Sequence, residues 1–448
     1  MMTSRDRVLT SLWHEEPDRV PIDLGSHASS TIAVLAYMKL RAHLGLAQGE
    51  LPKMYNTWGQ YCDVQDEILD RLGCDVVPLH RSVSSFSIHN DGAWKEWTLV
   101  DGSKCLVPED FTPIHNSDGD WEWYEDDRMI ARMPGEGLHG FTLFWSPMQG
   151  EPTKEKIDAL LSSENNNFIS RIKTSDREIR FLESEAKRLR ESGNQRAVLF
   201  QHGGTILENS QGIFGWDEIF VRCLTDPDLV HFFLNALTEV HLETLKRTLD
   251  AAGDVIDVIQ FGDDLGMQGA PLLDPEMYRE IFLPYHKRMF RFVRDNYPHI
   301  FVMLHCDGAV YELFPDLIEA GMQVFNPLQT DCAGMDPAKI KREFGKQISF
   351  WGGGCDTHAT LAFGTASQIR EDVRRRMQIL APGGGFVFNQ IHNVLGDITP
   401  KRVMAMIDAA HEFGKYPIAV EAPLEELEAK YAGYWEEPYK ALKQEGVA

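Results

Sequence analysis

Positive charge is scarce in this chain: 44 Lys and Arg stand against 68 Asp and Glu among 448 residues, a formal charge of −24. That sign repels phosphate backbones and anionic headgroups, which excludes capture of nucleic acid or lipid surfaces as the main activity. Long apolar runs are missing too. No stretch nears the 18 consecutive apolar residues of a membrane span, and the opening MMTSRDRVLTSLWHEEPDRV carries charges where a secretory signal has an apolar core, so a cytoplasmic location is expected. Seven cysteines, at 62, 74, 105, 223, 306, 332 and 355, form no Cys-x-x-Cys pair. An odd, scattered set of this kind argues against a disulfide framework. Phosphate-loop and dinucleotide fingerprints are also lacking. The glycine run at 351–357 therefore reads as room for a ligand, and the one at 381–388 as a helix-ending turn.

What is present suits a large folded core, since 43% of residues are apolar and 10% aromatic. Eight short apolar runs rich in β-branched residues recur at 19–24, 74–79, 197–200, 257–261, 299–305, 322–327, 347–352 and 385–390. Amphipathic stretches separate the later ones; between 274 and 297, Tyr278, Ile281, Phe282 and Tyr285 fall at helical spacing. Strand and helix in alternation imply a parallel sheet, and eight such units imply an α/β fold of the (β/α)8 TIM-barrel type over residues 1–418. Two departures are expected. Alternating residues with Asp-Gly pairs at 91–92 and 101–102 predict a small β-hairpin insertion over about 83–135. An acidic tail with apolar residues at 424, 427, 431 and 434 predicts a C-terminal helical extension over 419–448, packed on the barrel or on a second subunit of a homo-oligomer. The charged segment 151–195 reads as helical with a solvated face.

Barrel enzymes build their sites at the C-terminal ends of strands. That rule nominates Asp23 and His27, then His202 and Glu208, then Gln260, Asp263 and Asp264. The later strand ends add His305, Cys306, Asp307, Asn326, Cys332, Cys355, His358, Asn389 and His392. Soft ligands crowd into 305–358, which suggests zinc. On an extended strand His305 and Asp307 share a side and Cys306 takes the other, while the fifth and seventh runs contribute to one interior layer, so His305, Asp307 and Cys355 form a candidate three-ligand metal site. The competing reading makes His305 a hydrogen-bonded rim residue and the thiols small buried hydrophobes. FGDDLGMQG at 261–269 places two carboxylates before glycines that would admit a ligand; there too, one Asp could instead cap a helix.

The segments RVLTSLWHEEPDRVPIDLG, QFGDDLGMQGAPLLDPEMYREIFLPYHKRM, LHCDGAVYELFPDLIEAGMQVFNPLQ, FWGGGCDTHATLAFGT and HNVLGDITPKRVMAMIDAAHEFGKY are similar, in matching order, to segments of one family. The chain resembles the uroporphyrinogen decarboxylase superfamily, in its corrinoid-dependent methyltransferase-like branch. The resemblance implies a (β/α)8 barrel and a zinc ion held by a His-x-Cys pair and a later Cys. His305 and Cys355 match that pattern, and Asp307 stands at its middle position. It also implies a corrinoid (cobalamin) cofactor on a separate carrier protein, with a small methylated substrate such as a methyl ether or methylamine. Gln260, Asp263, Asp264, Asn326, Asn389 and His392 are then expected to bind substrate, and His305, Asp307 and Cys355 to be catalytic. The alternative is a decarboxylase or lyase of this family acting on a smaller substrate than a porphyrinogen. The octacarboxylate itself is a poor fit, because DLGSHASSTIA at 23–33 has no Arg where the decarboxylase carries an Arg-rich motif. With Asp263, Asp264, Asp307, Asp331 and Asp356 near the strand ends, a neutral-to-negative pocket favouring neutral or cationic substrates is expected.

Overall fold

The computed structural model describes residues 2–46, 49–163 and 166–445. Seven parallel strands lie side by side in chain order: β1 (Val76–Leu79), β2 (Ala197–Gly204), β3 (Val258–Gly262), β4 (Phe301–His305), β5 (Val324–Asn326), β6 (Ser349–Trp351) and β7 (Phe386–Val387). The run at 19–24 closes the ring. Ile22 bridges Phe388 in parallel, and Asp23 N donates to Phe388 O at 2.9 Å. On the other flank Asp75 N donates to Ile22 O at 2.7 Å. All eight expected runs therefore build one α/β barrel, although 19–24 joins through single bridges rather than a ladder.

Alternation along each strand decides which side chains fill the barrel. Val76, Ala197, Leu199, Val258, Phe301, Met303, Val324, Trp351 and Val387 form an apolar interior, and the helix Ser4–Leu12 plugs its lower end with Val8 and Leu12. Two residues further along the same strands the interior turns polar: Gln260 after Val258, His305 after Met303, Asn326 after Val324 and Asn389 after Val387. The site is this polar layer and the loops above it.

Between β1 and β2 sit a hairpin, Trp94–Thr98 with Lys104–Pro108, and a four-stranded antiparallel sheet running from Ile114–His115 to Thr142–Leu143. Gly102, at φ +84°, turns the hairpin. Asp91-Gly92 precedes its first strand and joins no paired strands, contrary to the hairpin expected there. In the C-terminal extension Leu427, Tyr431 and Trp435 are buried. Arg375 and Arg376 of the barrel helix Ala366–Leu380 lie over Tyr434 and Trp435, so the extension packs on its own barrel.

The lower rim is held by charge. Asp75, fully buried, pairs with Arg7 and Arg19 at 2.6 Å each and accepts Ile22 N at 2.8 Å. Removing this carboxylate leaves the buried Ile22 amide unpaired and takes a charged partner from both Arg7 and Arg19. Asp75→Ala is expected to lower stability by roughly 3–5 kcal/mol, read as a shift in the urea denaturation midpoint.

Candidate active site

Asn326 organises the upper layer. Its Nδ2 donates to Trp351 O at 2.7 Å, and a carbonyl only accepts, so Oδ1 must face Ser29 Oγ (2.8 Å) and His305 Nδ1 (2.8 Å). His305 therefore carries its proton on Nδ1 and presents a lone pair from Nε2. That nitrogen faces Asp307 Oδ2 at 3.7 Å and Asp264 Oδ1 at 3.8 Å. His392, in the loop after β7, brings Nε2 to 3.5 Å from Asp307 Oδ2. Among the described residues, His305, Asp307 and His392 form a group whose ligand atoms lie within 4.8 Å of one another. Asp307 Oδ1 is buried without a hydrogen-bond partner.

Lone pairs and carboxylates in this arrangement repel unless positive charge sits between them. Burial alone would keep the His305 ring neutral, yet Asp307 and Asp264 outweigh it and raise the affinity of the ring for a proton. Burial, reinforced by Asp307, raises the Asp264 carboxyl above the usual range. Glu208 is raised well above it by burial, with Asp264 and Asp263 adding to the effect.

The remaining expected ligand, Cys355, the other thiols and two of the pocket acids lie elsewhere. Gly352 and Gly353 take φ of +90° and +84°, which ends the strand alternation at Trp351. Cys355 is consequently buried, with its thiol on Asp356 O at 3.8 Å and beside the Asp372–Arg376 pair, and does not join the group. Cys306 is likewise buried and accepts Leu265 N at 3.2 Å, so Asp307 is the residue of that pair that reaches the site. Cys332 is buried as well. Asp331 pairs with His358 at 2.7 Å, and Asp356 caps the turn at His358, Ala359 and Thr360.

Asp263 is also a cap. Its two oxygens accept Thr205 Oγ1, Ile206 N and Glu208 N at 2.7–2.8 Å and meet His286 Nε2 at 2.6 Å. It thereby fixes the start of the helix Leu207–Phe214 and the position of Glu208. Asp264 is the partly exposed member of the pair. Gly266 serves loop packing and not ligand approach: a Cβ there would stand 2.6 Å from the Gly308 carbonyl carbon. Asn326 is saturated by its three partners, which makes it a positioning residue. Gln260 Oε1 and Asn389 Oδ1 are buried acceptors without partners, beneath the loops that carry the histidines.

Beside this cluster a cavity of about 350 Å³ opens between β1 and β2, with Glu208 on its wall and Arg171 and Arg81 among its lining residues. These cations lie beside the ends of β1 and β2, apart from the acidic face at the later strand ends for which a neutral-to-negative pocket is expected. Arg171 belongs to the segment read as a solvated face, and no spacing in the sequence marks it. Glu208 and His202, visible in the sequence only as strand-end residues, both line this cavity.

Residues 209–413 match the family described as uroporphyrinogen decarboxylase (URO-D). The matched segment is just under half of the chain and is similar to the uroporphyrinogen decarboxylase superfamily. Uroporphyrinogen decarboxylase of Chlorobium limicola is 23% identical over 190 residues, covering 42% of this chain and 50% of that protein. The Chloroherpeton thalassium enzyme is 25% identical over 201 residues, 42% of this chain and 51% of that protein. The chain spans about half the length of these curated relatives. A methyltransferase from Methanosarcina mazei has a similar fold, with a TM-score of 0.58 at 15% identity over 92% of this chain and 99% of that one. The superfamily domain thus covers β3 to β7 and every residue of the His305–Asp307–His392 group.

Two outcomes follow from this geometry. Asp263→Ala removes an acceptor for four donors and should cost roughly 3 kcal/mol or more of stability, whereas Asp264→Asn, which relieves like charge at a part-exposed position, should leave the denaturation midpoint unchanged or raised. Burial also holds His202 well below the usual histidine range and brings His241 down to about 4. Unfolded histidines titrate near 6.5, so between about pH 6.5 and 4 the unfolded chain binds protons that the folded chain refuses, and stability falls as pH drops through that window. Urea midpoints at pH 7.5 and 5.5 should differ less in a His202→Gln/His241→Gln variant than in the parent, by roughly 1–2 kcal/mol.

Proposed function

We propose that this protein is a methyltransferase of the superfamily, in which His305, Asp307 and His392 hold a zinc ion and a separate carrier protein delivers a corrinoid. The observation that carries the reading is the convergence of two imidazole nitrogens and a carboxylate, with Asp307 Oδ1 left unsatisfied and His305 pre-set by Asn326. An N/N/O set is a donor pattern of catalytic zinc, and a hydrogen-bonded second nitrogen is what orients a ligating histidine. Bound there, zinc supplies Lewis acidity to the heteroatom that bears or receives the methyl group, and the corrinoid supplies the methyl-carrying centre.

The chain's own groups do the rest. His305, at the end of β4, and His392, in the loop after β7, approach Asp307 from two C-terminal strand ends of the same face. Glu208, held protonated by burial and neighbouring acids, offers a proton at the cavity wall for the heteroatom that loses its methyl group. The cavity has room for a small substrate and none for a buried macrocycle, which supports delivery of the corrinoid from outside. The fold likeness to a methyltransferase supports the same reading.

Metal analysis and methyl-transfer assays test it. His305→Ala and His392→Ala should each lower zinc affinity by about 10-fold or more and abolish transfer to a corrinoid carrier, while Cys355→Ala should retain the metal. Full turnover of a substrate by chelated protein without corrinoid would overturn the proposal in favour of a metal-free decarboxylase or lyase.

A further inference from the structure

The Arg171 guanidinium is half-buried on the cavity wall. Among the described residues it has no ion-pair partner and donates no hydrogen bond; its central carbon lies 5.5 Å from the centre of the Phe168 ring. Arg81 is different: it is paired with Glu178 at 2.7 Å and donates to the Arg171 carbonyl, so it props the loop and has no donor to spare. Burial opposes the charge on Arg171, and Glu208 and Glu125 offset this only through space.

His202 also lines this cavity and is held from behind by a hydrogen-bonded chain. Asn209 Nδ2 donates to Gly204 O at 2.7 Å, which fixes that amide and turns its remaining hydrogen toward His241 Nε2 at 3.2 Å. His241 therefore carries its proton on Nδ1 and donates to His202 Nε2 at 3.0 Å. His202 in turn keeps its proton on Nδ1, which is buried and has no partner. The Arg171 guanidinium, without an acceptor among the described residues, is therefore the charged donor on the wall of this small cavity. Its other wall is apolar and aromatic, from Tyr55, Trp58, Leu79 and Ile172.

We propose that this cavity binds the carboxylate of a compact methylated substrate, with the Arg171 guanidinium as its cationic donor, so that the apolar body of the molecule lies along Tyr55 and Trp58 and its methyl-bearing end points past Glu208 toward His305. The substrate class is thus a small monocarboxylate carrying an ether or similar methyl group. A volume of about 350 Å³ suits a single-ring molecule and not a polycarboxylated macrocycle. The assignment of the methyl-bearing end rests on the methyltransferase reading, while the carboxylate subsite stands on the cavity alone.

Calorimetric titration of the full chain with 4-methoxybenzoate and with the isosteric neutral 4-methoxybenzamide tests the subsite. The benzoate should bind at least 10-fold more tightly than the amide. Arg171→Gln should weaken the benzoate by about 10- to 100-fold and leave the amide within about 2-fold, with Arg171→Lys in between. Equal affinity for the two probes, no binding of either, or full benzoate affinity in Arg171→Gln would each overturn the inference. The titration uses no corrinoid, so intact carboxylate binding without methyl transfer would count against the proposed reaction alone. Undiminished turnover of the benzoate by Arg171→Gln would count against the subsite alone.

Discussion

Barrel closure depends on one buried carboxylate. Asp75 stands just before β1, and its oxygens hold Arg7 from the plugging helix, Arg19 from the closing segment and the amide of Ile22. The closing segment has few ladder bonds of its own, so this charge-assisted set supplies the attachment that backbone pairing does not. Asp257 repeats the device two strands on, just before β3, accepting Val198 N at 3.0 Å and pairing with Arg5 at 2.8 Å. The N-terminal helix thus neutralises the lower rim with Arg5 and Arg7 while Val8 and Leu12 seal the apolar interior.

The upper rim is built on the opposite principle. There Glu208, Asp264 and Asp307 meet without a Lys or Arg in ion-pair contact, and two imidazoles are the basic groups within reach. Acids at the lower rim are consumed by folding; acids at the upper rim are left with unmet demand for positive charge. A barrel separates the two because its strands are parallel: every N-terminal strand end lies on one face and every C-terminal end on the other. Asp263 and Asp264 show the division within a single dipeptide, one saturated by four donors, the other turned to the site.

Histidine orientation in this protein is set by groups that never reach a ligand. Asn326 aims His305 because Trp351 O leaves it no choice of amide face, and Asn209 sets the His241–His202 pair through Gly204 O. In both chains a backbone carbonyl fixes an amide and the amide fixes a ring. Backbone geometry is thereby transmitted to the protonation of atoms two residues away.

The sequence by itself determined the eight strand runs, their parallel order and the polar layer that begins where His305, Asn326 and Asn389 follow apolar interior residues, because strand alternation is a local property. It also placed His305 and Asp307 together, since two residues apart on a strand means one side. Only the tertiary structure decided the third member of the group. Cys355 lies four residues past the end of β6, beyond two glycines at positive φ that abolish the alternation its placement assumed, and His392 comes in from a loop whose path no periodicity encodes. The same holds for Arg171: its segment is polar and helical in pattern, and its place on the cavity wall arises from packing against the Arg81–Glu178 pair. Local periodicity specifies which way a side chain points from its own element. Which elements meet, and which charges are left unpaired where they do, depends on contacts far apart in the chain.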